Sequence, residues 1–244
     1  APNILAINRR DRRFMECFVA DDGYVFVAAD YANVEPRIEA HFSQDDELAD
    51  IVITGKDIYL ELLKYIYPDK AHLYDPNNLE ESKKVLKKER DMLKQIRLAL
   101  GYGMQIPRLA KTLELDTAEA RRIYNAYWTA RKCTKNLENK LLVQYKNKGF
   151  IKNMWGRPLT LACTKDILNR YIQSSAHDSL VVSNLEIIPM LSALGIEHKL
   201  TLIDIHDEFI VSIKKDKVNE YTTLIFNVIK NLNETLKLKV PLSI

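Results

Sequence analysis

Residues 200–213, LTLIDIHDEFIVSI, have the apolar and β-branched content of a buried strand, yet Asp204, His206, Asp207 and Glu208 stand at their middle. A carboxylate buried without a partner is costly, so adjacent acids there need a cation, a turn that exposes them, or both. If 200–205 and 208–213 pair as a hairpin, Asp207 lies at its tip. A second acid, Asp30, closes the run YVFVAAD, and a neighbouring strand ending there would set it beside Asp207. Two such acids repel each other. A divalent cation relieves the repulsion, and hard oxygen donors favour magnesium or manganese over zinc. Each residue also has a plainer reading: Asp30 as a helix cap, His206 and Asp207 as turn residues.

A second group is cationic. In RDMLKQIRLAL, Arg90, Lys94 and Leu98 follow an i, i+4, i+8 progression with Arg97 adjacent, so like charges stand over one another with no acid on that stripe. Such a stripe needs an anionic partner or plain solvent. A triphosphate suits it, because a guanidinium fork and an ammonium can clamp its oxygens while metal ions bridge the others. Gly101, Tyr102 and Gly103 follow as a flexible break around an aromatic face.

Positioning these groups requires strands and helices in a particular order. Alternation predicts a strand over 24–29, a helix over 33–43, and a mainly helical stretch over 57–148 interrupted by the Pro- and Asn-bearing loop 67–78. Within it, 79–100 is strongly amphipathic, and 117–149 reads as a helical region opened by a Thr117 cap and ended by Gly149. A hairpin over 150–161, a helix over 165–194, strands over 198–205 and 208–213 and a last amphipathic helix over 218–238 complete the chain. The order gives an α+β fold with a helical subdomain inserted into a sheet-based one.

Composition narrows the class. With 244 residues, 47% of them hydrophobic, the chain can bury a substantial core. No apolar run is long enough to span a bilayer and no signal-peptide pattern opens the sequence, which leaves an intracellular location as the default. Cys17, Cys133 and Cys163 fit neither a disulfide framework nor a zinc site. The net charge of +3 does not by itself imply nucleic acid, although basic residues crowd 9–13 and 82–97 while 43–50 is acidic.

DYANVEPR at 30–37, RDMLKQIRLALGYG at 90–103 and IHDEFIV at 205–211 fall in one order with APNILAINRR, TGKDIY, GFIKNMWGRPL and NRYIQSSAHD. Together they resemble the family A DNA polymerases, the group of bacterial DNA polymerase I and related phage replicases, over nearly the whole chain. The resemblance implies a polymerase palm over 1–50 and 149–244 with fingers over 51–148; thumb and any exonuclease would precede Ala1, and the last palm strand after VPLSI looks missing or clipped. It implies template-directed DNA synthesis with two magnesium ions on Asp30, Asp207 and the Tyr31 carbonyl, and Glu208 as a supporting neighbour. Arg90 and Lys94 would bind the triphosphate, Lys94 also serving the leaving pyrophosphate. Glu35 would exclude a 2′ hydroxyl, and Tyr102 would stack near the template base. Arg10, Asn169 and Gln173 match residues that check minor-groove acceptors without reading sequence. His206 would support the primer end, and Lys165 would face DNA. The partners implied are primer-template DNA, deoxynucleoside triphosphates and replication accessory proteins, with no membrane.

The chain departs from the family pattern in several places. Leu98 stands where Phe or Tyr usually meets the nucleotide sugar, Tyr59 replaces a His, and Lys165 replaces an Arg, keeping charge but losing the bidentate fork. QSSAHD replaces a Gln-Gly-Thr-Ala-Ala-Asp pattern, and 68–78 is longer than in bacterial relatives. Two competing readings are a single-subunit RNA polymerase, against which Glu35 and the Asp207–Glu208 pair weigh, and a degenerate palm kept for nucleic-acid binding. The intact Asp30, Asp207, Arg90 and Lys94 weigh against the second.

Overall fold

The alternation in YVFVAAD builds a strand with Val25, Val27 and Ala29 on one face and Phe26, Ala28 and Asp30 on the other; Ala29 is buried and Asp30 exposed. A computed structural model describes residues 16–193, 198–200 and 208–244. In chain order, β1 (Tyr24–Asp30) leads to α1 (Val34–Ser43), α2 (Asp46–Thr54), α3 (Leu63–Ile66), α4 (Leu79–Val85), α5 (Lys87–Gly101), α6 (Ile106–Thr112), α7 (Thr117–Ala130) and α8 (Lys132–Lys148). The hairpin β2 (Ile151–Lys152) and β3 (Pro158–Leu159) precedes α9 (Ile167–Ala193), β4 (His198–Leu200), β5 (Glu208–Lys214) and α10 (Val218–Leu236). Helices dominate and the sheets are small and antiparallel, which makes this an α+β fold. No helix among the described residues is long and apolar enough to cross a membrane.

By internal contacts the chain divides into one unit of Ala1–Val34 with Ala176–Ile244 and a second of Glu35–Ser175. In the first unit the sheet order is β1-β5-β4, all antiparallel. On α10, Tyr221, Leu224, Ile225, Val228 and Ile229 recur at helical spacing, are all buried, and pack that helix against β5. After α10, Asn233 holds the returning chain: its side-chain amide donates to the Leu242 carbonyl at 2.9 Å and accepts from the Leu242 N–H at 2.7 Å.

In the second unit, Leu93, Ile96 and Leu100 form the buried face of α5 and join Leu60, Leu62, Leu63, Ile66, Leu109, Ile123 and Tyr127 in one core. Each fully buried aliphatic side chain there contributes roughly 1.5–3 kcal/mol. The amphipathic run 79–100 is not one helix. Leu86 leaves helical geometry (φ −101°, ψ 24°) and divides α4 from α5 while its side chain stays in the core. Arg131 (φ −116°, ψ 41°) divides α7 from α8 in the same way. The cap of α7 is Asp116, whose carboxylate accepts from the Glu119 N–H at 2.7 Å; Thr117 is the first helical residue, not the cap. The predicted end at Gly149 is observed, with the left-handed φ of 74°. The loop predicted over 67–78 contains a 3₁₀ turn, Pro68–Leu73.

Candidate functional site

The first unit presents an acidic edge. Antiparallel pairing of β1 with β5 sets Asp30 directly opposite Glu208, at the point where one strand ends and the other begins. Residues directly opposite share a face of the sheet, so acid stands against acid. The backbone that follows is tightly held. Ala32 N–H donates to the Ser243 carbonyl at 2.8 Å, so the segment clamped by Asn233 also fixes the turn after Asp30. Tyr31 is buried, and its hydroxyl lies 2.5 Å from the Ser183 hydroxyl. Because Ser183 gives its single proton to the Ser179 carbonyl, Tyr31 is the donor in that pair. Burial raises the Tyr31 hydroxyl from 10.0 to about 12, against a smaller lowering by Ser183. Tyr31 is therefore a neutral anchor that leads its side chain away from the edge bearing Asp30. Among the described residues, no three His, Cys, Asp or Glu side chains gather as a metal site. Asp207, His206 and Arg10 lie outside the described residues.

The second unit carries the cationic helix. At about 100° per residue, Arg97 and Arg90 sit about 40° and 60° round α5 from the buried Leu93, Lys94 about 100° and Leu98 about 140°. The first two therefore border the core, and each has found an acid there. Arg97 Nη2 donates to Glu39 Oε2 at 2.6 Å, and Arg90 Nε donates to Asp57 Oδ2 at 2.7 Å. The sequence pattern left the whole stripe facing an outside anion or solvent. The structure corrects that for the two arginines, whose partners lie 58 and 33 residues away. Asp57 is buried, and its other oxygen accepts the N–H groups of Tyr59 and Leu60. The Arg90 guanidinium lies over the Tyr59 ring at 5.1 Å, so the Tyr that replaces the usual His supports the arginine by stacking. The Arg90 amino nitrogens make no hydrogen bond among the described residues, and Lys94 is exposed and likewise unpaired there.

A recess opens on the same unit, and Glu35, Leu98, Tyr102 and Asn169 all line it. Its walls also include Glu39, Arg97 and Thr134, where the Thr134 hydroxyl donates to Glu39 Oε1 at 2.8 Å. Burial works to discharge Arg97, but Glu39 outweighs it and holds the guanidinium above the ordinary arginine range. Tyr102 is 52% exposed, and its hydroxyl accepts from Gln173 Nε2 at 2.9 Å. On α9, Gln173 bonds Tyr102 while Asn169, four residues earlier, lines the recess.

The GYG sequence closes α5 in one particular way. Gly103 N–H bonds the Leu100 carbonyl and Met104 N–H the Ala99 carbonyl, the paired bonds of a Schellman end. Gly103 has φ 73°, and a Cβ there would lie 2.0 Å from the Lys165 carbonyl oxygen. Lys165 thus meets the end of α5 through its backbone, and its exposed side chain stays clear. Sequence reasoning missed Glu39, Asp57, Thr134 and Asn233. For Glu39 there was a signal, since it stands one helical turn after Glu35 on α1.

A model of DNA polymerase family A matches residues 1–244. The chain belongs to DNA polymerase family A. Its relatives within the family include the thermostable DNA polymerase I of Thermus filiformis, 26% identical over 96% of this chain and 27% of that protein. The DNA polymerase I of Deinococcus radiodurans is 25% identical over 100% of this chain and 25% of the relative; that of Aquifex aeolicus is 26% identical over 100% and 41%. This family A chain thus spans a quarter to two-fifths of the length of those curated relatives. In fold it is similar to the POL domain of Pol1 from M. smegmatis, solved in complex with DNA primer-template and dNTP. The TM-score is 0.83 at 24% identity, over 99% of this chain and 43% of that one.

Proposed function

We propose that this chain carries the nucleotidyl-transfer site of a template-directed DNA polymerase, extending a primer on a DNA template with deoxynucleoside triphosphates. In this reading, 1–50 and 149–244 act as palm and 51–148 as fingers. Given the family, one observation carries it: β5 meets β1 with Glu208 opposite Asp30, and Asp207 is the residue before Glu208 in the chain. The pairing sets two carboxylates on one face at a strand end, a setting that suits divalent cations. The donors in this reading, the carboxylates of Asp30 and Asp207 and the Tyr31 carbonyl, are hard oxygens that suit two magnesium ions, with manganese as a substitute. Bound there, the ions supply Lewis acidity toward the primer 3′ hydroxyl and neutralise charge on the triphosphate.

The chain's own residues do the rest. The Arg90 amino nitrogens are available to phosphate oxygens, because Asp57 occupies only Nε and Tyr59 fixes the plane of the fork. Lys94, one turn on and exposed, holds the β- and γ-phosphate side and gives charge or a proton to the pyrophosphate that leaves when the 3′ oxygen bonds the α-phosphorus. Glu35 and Leu98 face the sugar in the recess, and Tyr102 borders it near the template base. Asn169, Gln173 and Arg10 supply donors for minor-groove acceptors. Lys165 and His206 support the DNA, and Glu208 supports the acidic edge. The test is primer extension by the full-length protein with magnesium and each class of nucleotide. Extension with deoxynucleotides that is lost in Asp207→Ala supports the reading. Undiminished extension by that variant refutes the assigned metal role, and preference for ribonucleotides would favour an RNA polymerase.

A further inference from the structure

The Glu39–Arg97–Thr134 network has no part in the chemistry above, yet it forms the inner wall of the recess in which the sugar-facing residues lie. It ties together three helices: Glu39 belongs to α1, Arg97 to α5 and Thr134 to α8. On α1, Glu35 and Glu39 are four residues apart and share a face. On α5, Arg97 directly precedes Leu98. The ion pair therefore joins the two helices at the positions beside the two side chains that bound the sugar. Both oxygens of Glu39 are used, one by Arg97 and one by Thr134, so the carboxylate cannot turn without breaking a bond. Glu39 is 6% exposed, and water is a poor substitute for either partner there.

Leu98 gives this link its importance. It is 47% exposed and carries no ring that would span the recess and set the separation of α1 from α5 by contact. We propose that Arg97, held by Glu39 and Thr134, is a positioning residue for sugar discrimination, fixing the distance between Glu35 and Leu98 that the aliphatic side chain leaves unset. The inference rests on the reading of Glu35 as the residue that excludes a 2′ hydroxyl. Deoxy- and ribonucleotides differ by one oxygen, and a misplacement of about 1 Å in such a site is enough to change rates on the order of a hundredfold.

The test compares kcat/KM for deoxy- and ribonucleotides in the full-length protein, with melting temperature measured in parallel. Three variants are needed. Glu35→Ala reports whether Glu35 discriminates at all. Glu39→Leu with Arg97→Met removes both buried charges together, an exchange that leaves stability near or above the parent level and so keeps the protein folded. Arg97→Lys keeps a positive charge facing Glu39. The expected result is a fall of about tenfold or more in the deoxy-over-ribo ratio for the double variant, a smaller fall for Arg97→Lys, and a fall for Glu35→Ala. An unchanged ratio in a folded double variant, with Glu35→Ala altered, overturns the positioning role alone. An unchanged ratio in Glu35→Ala overturns the underlying assignment of Glu35, and the inference with it. A double variant that melts well below the parent also overturns the proposal, since the network would then be a requirement of folding.

Discussion

Charge is organised in opposite ways in the interior of Glu35–Ser175 and at the end of the β1–β5 pair. In Glu35–Ser175, acids are set against bases: Asp57 meets Arg90 and Glu39 meets Arg97, each through one short hydrogen bond. In the unit that contains β1 and β5, acid is set against acid, Asp30 opposite Glu208. The first arrangement satisfies itself and belongs to the architecture. The second places two carboxylates on one face of the sheet at a strand end. Lys94 is the intermediate case, a base on the same helix as the matched arginines but turned away from the core, with no acid paired to it among the described residues.

If this contrast is right, substitutions in the two places separate activity from stability. Asp30→Asn should lower primer extension by at least about a thousandfold, equivalent to roughly 4 kcal/mol of transition-state stabilisation. Its unfolding free energy should stay within about 0.5 kcal/mol of the parent, as for most exposed positions. Chemical denaturation beside steady-state kinetics checks both, and a large stability loss would break the comparison. Arg97→Met alone should do the reverse to stability: it strands Glu39 in the interior and should cost about 3–5 kcal/mol, read as a fall in denaturation midpoint.

Asp57→Asn sharpens the middle ground. It keeps an oxygen for the N–H groups of Tyr59 and Leu60 but removes the charge opposing Arg90. The expected effect is a rise of about tenfold in KM for the nucleotide with kcat little changed, the mark of binding lost equally from ground and transition states. The smallest effect is expected at Tyr31. Tyr31→Phe should cost about 1 kcal/mol at neutral pH for the lost hydrogen bond. Because burial raises the hydroxyl from 10.0 to about 12, its contribution is complete below pH 10.0 and drains away as pH climbs toward about 12. The Phe variant should therefore show a shallower loss of stability across that interval, measured by denaturation at successive alkaline pH values.

The elements were largely legible in the sequence because their signals are local. Alternation gave β1, helical spacing gave α5 and α10, and Gly149 gave a helix end. The breaks at Leu86 and Arg131 were not legible, since apolar spacing continues across both and the deviation answers to packing. The acids of Arg90 and Arg97 were hidden for another reason: the stripe was read along one helix, whereas ion pairs form across the fold. Within the site, Glu35, Leu98, Tyr102 and Asn169 were each identified by motif, and all four line one recess. Motifs could not show the recess's inner wall, because Glu39 and Thr134 are 95 residues apart.

The junction of Gly103 with the Lys165 carbonyl has a mechanical corollary. It fastens one end of α5 to neighbouring backbone at a point where not even a methyl group fits. A rod secured at one end and turned about it travels farthest at the other. From Gly101 back to Arg90 the lever arm is about 16 Å, at about 1.5 Å per residue. A swing of this helix about that end would carry Arg90 more than three times as far as Leu98, which lies about 4.5 Å from Gly101.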